Sequence, residues 1–217
     1  MAGAREHDEE RASDGQGTVE ALLRAGRELF ARRGYDGASV RAITARAGAN
    51  LGAITYHFGS KRAFYDRVVE ASIGPLAERV VAVAKGDGAP LDRAEAVVRV
   101  FFEYLRDNPD LPYLMLQELA VGRLPPAAAI GPILRVHAAL TDLVRAGQAD
   151  GSIRPGPAKL MSLGILSQAL HFNLMRVPLR EIMGLDTSDP EVWATLVEQA
   201  VAFVRGGLAS GSGRSGV

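Results

Sequence analysis

Apolar residues recur at three- and four-residue spacing along almost the whole chain, and clusters of glycine or proline interrupt the pattern at intervals. Strict alternation of apolar and polar residues, which a half-buried strand needs, is scarce. This periodicity constrains the chain to an all-α fold, because a helix is the element whose buried stripe repeats that way. With 217 residues the chain can bury roughly 70% of its unfolded surface, enough for a core without staples. Cysteine is absent, which excludes disulfide frameworks, thiolate nucleophiles and cysteine-ligated metals.

The interruptions divide the chain. Residues 1–17 are charged, lack apolar periodicity and are expected to form a disordered tail. A first helix begins at the N-cap Thr18 and stops at Gly34. Short helices are expected over 39–46, capped by Ser39, and 50–57, capped by Asn50. A fourth starts after Ser60 and runs to about residue 84, with Gly74 and Pro75 suggesting a kink. Further helices are expected at 91–107, 110–121, 126–149, 157–176 and 189–205, and a flexible tail at 206–217. The opening residues have no secretory apolar run. The longest charge-free stretch, 160–175, falls short of the roughly 20 apolar residues of a spanning helix. A cytoplasmic protein with no membrane partner is expected.

The net charge is zero, yet residues 18–65 hold eight basic side chains against three acidic ones. Such a block suggests an anionic partner. Within it, the helix over 39–46, the turn at Gly48 and the helix over 50–57 follow a helix-turn-helix plan, whose second helix enters a DNA major groove. Val40, Ile43, Ala47, Leu51 and Ile54 supply apolar contacts, while Asn50, Gly52, Ala53, Thr55, Tyr56 and His57 are left facing outward.

The segment SVRAITARAGANLGAITYHFGSKRAFYDRVVE, residues 39–70, and the preceding ALLRAGRELFARRGYDGAS closely resemble the DNA-binding domain of TetR/AcrR-type transcriptional regulators. Phe30, Gly34 and Tyr35 match the end of that family's first helix, residues 39–48 its second, and residues 56–61 its Tyr-His-Phe-x-x-Lys. Ala49 departs from a common valine, and Thr55 from a common aromatic residue. The resemblance implies a DNA-binding domain over 18–65 and a helical effector-binding and dimerisation domain over 66–205. The expected DNA-binding residues are Ser39, Arg41, Asn50, Leu51, Gly52, Ala53, Thr55, Tyr56, His57 and Lys61. Tyr56, His57 and Lys61 stand at helix ends, where they can reach phosphate oxygens of double-stranded DNA.

No catalytic, metal-binding or cofactor motif is found in residues 66–205. An aromatic and methionine-rich set suits a small, largely apolar effector: Phe101, Tyr104, Leu105, Tyr113, Met115, Leu116, His137, Gln168, His171, Phe172 and Met175. Gln117 and Asn173 are further polar members. Leu163, Leu170, Val192, Trp193, Leu196, Val197, Ala200 and Val204 are expected at a homodimer interface, since a palindromic operator mirrors a two-fold protein. These readings imply a ligand-responsive repressor. The alternatives are a DNA-binding regulator whose body docks a protein, and a helical enzyme.

Overall fold

A computed structural model describes residues 2–119 and 124–210, with the side chains of residues 15–117, 119 and 124–210. Among the described residues, ten helices run in the order α1 Ala2–Gly37, α2 Val40–Ala47, α3 Ala53–Phe58, α4 Lys61–Lys85, α5 Pro90–Asp107, α6 Leu111–Leu119, α7 Ala127–Asp150, α8 Ala158–Leu174, α9 Arg176–Met183 and α10 Pro190–Leu208. The chain divides into two compact units. The first is Met1–Ile73 with Tyr113–Ala129, and the second is Gly74–Pro112 with Ile130–Val217.

Sequence punctuation places most helix ends. Gly34, at φ 68° and ψ 179°, breaks α1 where the sequence predicts a stop. Ser39 caps α2 by accepting the Ala42 N–H at 3.2 Å, and Ser60 does the same for Ala63 at 3.1 Å before α4. Asp189 caps α10 by accepting the N–H groups of Glu191 and Val192, with Pro190 in the first turn. Pro75 lies inside α4, next to the boundary between the units at Ile73 and Gly74.

Other expectations need revision. The backbone of Ala2 to Gly17, read in the sequence as a disordered tail, continues α1, in keeping with its many Ala, Glu and Arg residues. Met1 and residues 211–217 of the expected tails lie outside the described residues, while Gly206 to Leu208 extend α10. Helix α9 is not expected from the sequence. It follows α8 directly through Met175 and ends at Gly184 in the left-handed conformation.

In the first unit Leu22, Phe30, Ile43, Ile54 and Phe64 are buried. Phe30 meets Phe64 and Tyr65 with ring centroids 5.8 and 4.8 Å apart, and Phe58 meets Phe64 at 4.8 Å. Burying each such ring contributes about 1.5–3 kcal/mol. In the second unit Val98, Phe102 and Leu105 of α5 share a core with Ile165 of α8 and Ala200, Val201 and Val204 of α10. Ile153, after α7, forms an antiparallel bridge with Ala209, after α10. Helix α7 is long and apolar enough to cross a membrane by length and composition, but Val136, Leu140, Leu143 and Val144 are buried in protein.

Candidate nucleic-acid interface

Helices α2 and α3 are joined by a turn that only a residue tolerant of positive φ accommodates well. Gly48 adopts φ 67° and ψ 24°, and its N–H reaches back to the carbonyl of Ala45 at 3.3 Å. Ile43, with no exposed surface, and Ile54, at 1% exposure, hold the two helices from within. Thr44 is buried beside Ile43 and returns its hydroxyl to the carbonyl of Val40 at 3.1 Å. Thr44 lies outside the expected core, because a threonine inside a short helix gives no periodic signal.

The outer face of α3 and its approach are open. Asn50, Leu51, Gly52, Thr55 and Tyr56 are exposed, and Ala53 and His57 are half-buried. Tyr56 is 85% exposed, so it is no core aromatic, and among the described residues its ring meets only its neighbour His57, edge-on at 4.8 Å. Two expectations are corrected here. Leu51, read in the sequence as inward-facing as well as DNA-facing, is 62% exposed, because Ile54 already fills the space under α3. Asn50 is not the cap of α3: Gly52 holds that position without a side-chain bond, and Asn50 contributes its carbonyl to the Ala53 N–H at 2.9 Å.

The cations differ in how they are held. Arg46 pairs with Glu28 at 3.0 Å, and Arg62 with Asp66 at 3.2 Å. Lys61 places its ammonium 4.6 Å from the centroid of Tyr35, whose ring also lies 5.8 Å from the Arg62 guanidinium. Tyr35 therefore positions two cations at the start of α4, a role the sequence leaves unread because a tyrosine near a helix break has many uses. Arg41 is exposed and has no ion pair among the described residues. Ser39, although exposed, already spends its side-chain oxygen on the cap of α2.

Residues 22–68 match the family profile described as bacterial regulatory proteins, tetR family. Residues 22–68 therefore form a tetR-type domain. The chain is also 36% identical over 59 residues to the HTH-type transcriptional repressor AcnR of Corynebacterium efficiens. That match takes in 27% of this chain and 31% of the relative's length. Among solved structures, the ketosteroid transcriptional regulator KstR2 of Mycobacterium tuberculosis is similar at a TM-score of 0.71 and 21% identity, covering 88% of this chain and 95% of that one. NemR of Escherichia coli in its reduced form gives a TM-score of 0.64 at 20% identity, covering 90% and 99%. The all-α fold of these structures thus extends over most of this chain.

Residues expected around an effector are dispersed. Tyr113, Met115 and Leu116 belong to the first unit, where Gln117 donates to the Ala31 carbonyl at 3.2 Å. Phe101 and Tyr104 are buried on α5, and Tyr104 lies 5.5 Å beneath the Arg79 guanidinium. His137 borders a groove between α7 and α8 with Leu134, Thr141 and Ser162, while Leu105 and Phe172 border a second cavity. Gln168 is half-buried on α8, and His171 and Met175 are exposed near its end. Their helices share an apolar period, but which faces meet depends on tertiary packing.

Of the residues expected between protomers, Leu163 is 51% and Leu170 39% exposed. Val192, Leu196 and Val197 are half-buried, and Trp193 packs edge-on against Phe102 at 5.5 Å. Ala200 and Val204 are corrected: both are buried against their own protomer's core and belong to it. Phe203, absent from the expected set, is 66% exposed on α10.

Proposed function

We propose that the protein is a homodimeric repressor that binds a palindromic DNA operator in the cytoplasm and is released by a small effector bound in its helical body. The observation carrying this reading is the open face of α3, with Tyr56 and Leu51 exposed above the buried Ile54 in a TetR-type domain. Exposed large side chains gain nothing from the fold itself and are suited to a partner. Asn50 and Thr55 offer hydrogen-bonding groups to base edges, and Leu51 suits a thymine methyl group. Tyr56, His57, Arg41 and Lys61 suit phosphate oxygens, setting register without reading sequence.

Dimerisation is supported by two helices with apolar side chains on both faces. Helix α8 buries Ile165, Leu166 and Ala169 inside the unit while exposing Leu160, Leu163 and Leu170. Helix α10 buries Ala200, Val201 and Val204 and exposes Phe203. A second copy covering Leu163, Leu170, Leu196 and Phe203 removes this surface from water and places two α3 helices on one duplex. Half-sites are then spaced about 34–36 Å apart, or a multiple of this. Selection of binding sites from random duplex DNA tests the reading: recovery of a two-fold symmetric site supports it, and recovery of no enriched sequence overturns it.

A further inference from the structure

We infer that Glu28 is a positioning residue that withholds Arg32 and Arg46 from the phosphate backbone and so limits how tightly this domain holds any duplex; the inference rests on the DNA-binding reading above.

The charge count sets the problem. Residues 18–65 carry eight basic side chains against Glu20, Glu28 and Asp36. Each cation that reaches a phosphate releases counterions, so log affinity gains about 0.9 per contact for every tenfold drop in salt. At about 0.1 M salt, one further contact strengthens binding to every sequence by roughly tenfold. An effector commonly changes affinity by about 5–150-fold, so one or two surplus contacts would oppose release by a comparable factor.

The structure sorts these cations by how they are held. Glu28 is half-buried on α1, and its two carboxylate oxygens face two different guanidinium groups. Its Oε1 lies 3.5 Å from Nη1 of Arg32, one turn further along α1. Its Oε2 accepts from Nε of Arg46 at 3.0 Å, across to α2. Both arginines are exposed, and Arg46 stands two residues before the turn at Gly48. It thus lies on the helix that crosses the phosphate backbone in a helix-turn-helix. The shared carboxylate cancels part of the charge of both arginines within a Debye length and fixes Arg46 against α1.

Lys61 is held in another way. It leans on the uncharged ring of Tyr35 and keeps its full charge. Arg62 pairs with Asp66 inside a single helix. Among the described residues of this block, Glu28 is the acid that joins two cations from two helices. Exposed ion pairs of this kind stabilise a fold only slightly, so the consequence of the pairing lies in the charge it removes from the surface.

The test is an anisotropy titration of the full chain with a scrambled duplex at several salt concentrations. At about 0.1 M salt, Glu28→Gln should bind roughly tenfold more tightly than wild type, with a salt slope steeper by about 1. Glu20→Gln removes the same charge from an exposed position on the same helix. It should gain no more than about twofold, because it releases no arginine and its distant charge is screened. In an Arg32→Gln/Arg46→Gln background, Glu28→Gln should match Glu20→Gln. Arg46→Gln alone reads the pair without altering Glu28, and it should weaken binding less than Lys61→Ala does. Three results overturn the proposal: Glu28→Gln equal to Glu20→Gln, a gain that survives loss of both arginines, or Arg46→Gln as damaging as Lys61→Ala. If the wild type binds the duplex, any of these removes this inference and leaves the DNA-binding reading standing. A wild type that binds no duplex overturns both.

Discussion

At the scale of single residues, exposure and crowding decide which side chains serve the fold and which serve a partner. Tyr56 and Lys61 differ despite their proximity in sequence: Tyr56 stands in solvent, whereas Lys61 leans on Tyr35. Lys61→Ala should weaken binding to every duplex and lower the salt slope of log affinity by about 1, without changing sequence preference. Anisotropy titrations at several salt concentrations check this, and an unchanged slope removes Lys61 from the phosphate contacts. Gly26 illustrates the opposite role. A Cβ placed there would lie 2.5 Å from Phe64 Cζ and 2.9 Å from a Val68 methyl carbon. Alanine normally gains up to about 1 kcal/mol over glycine inside a helix. Overpacking against a fixed aromatic cluster costs about 1–3 kcal/mol. The crowding should win, so Gly26→Ala is expected to lower the urea midpoint without altering the unfolding slope. The residue scale also marks where the sequence is mute. It places Leu51 at the right helix and leaves its outward orientation to be settled by Ile54.

At the scale of elements, most helices were legible because proline, glycine and capping residues stand at their ends. The expected 91–107, 126–149 and 189–205 correspond to Pro90–Asp107, Ala127–Asp150 and Pro190–Leu208. Helix α9 was not legible, since only eight residues separate Met175 from the stop at Gly184 and no cap announces it. The two-faced helices carry the dimer expectation. Leu163→Glu or Phe203→Glu should yield monomers in sedimentation experiments while leaving the helical circular dichroism intact, since both sites are exposed. Operator affinity should fall with dimerisation, because the second half-site contact loses its effective concentration. An unaltered sedimentation coefficient would exclude these faces from the interface. Helices α5 and α10 are also tied by Arg99 to Glu198 and by Arg205 to Glu95 and Asp92. The hydrogen bond from Arg99 holds the Glu198 carboxyl below its ordinary pKa. A depressed carboxylate pKa contributes stability above the unfolded value that is lost as pH falls through the folded one. Glu198→Gln should therefore flatten the acid side of the melting profile, by a small amount because the pair is exposed. Identical acid profiles for the two proteins would show that the pair does not couple folding to protons.

At the scale of the whole molecule, the sequence revealed the class of fold and the helix-turn-helix motif, but not a cavity. The motif is local: Gly48, Ile43 and Ile54 lie within twelve residues, so spacing alone brings them together. The aromatic cavity assembles Leu105, Asn173 and Trp193 from three separated helices, and no local period specifies which faces meet. Asn173 was visible as a polar residue in an apolar run, yet only packing leaves its Oδ1 without a donor. On the proposed function, the open face of α3 reads duplex DNA. Its most direct measurement is an anisotropy titration at fixed, near-physiological salt, comparing the selected symmetric duplex with a scrambled duplex, for wild type and for Leu51→Ala/Thr55→Ala. The wild type should prefer the selected duplex by about a thousandfold or more, and the double variant should lose most of that preference while keeping its affinity for the scrambled duplex. Equal wild-type affinity for the two duplexes, or a preference untouched by the double substitution, would contradict the claim.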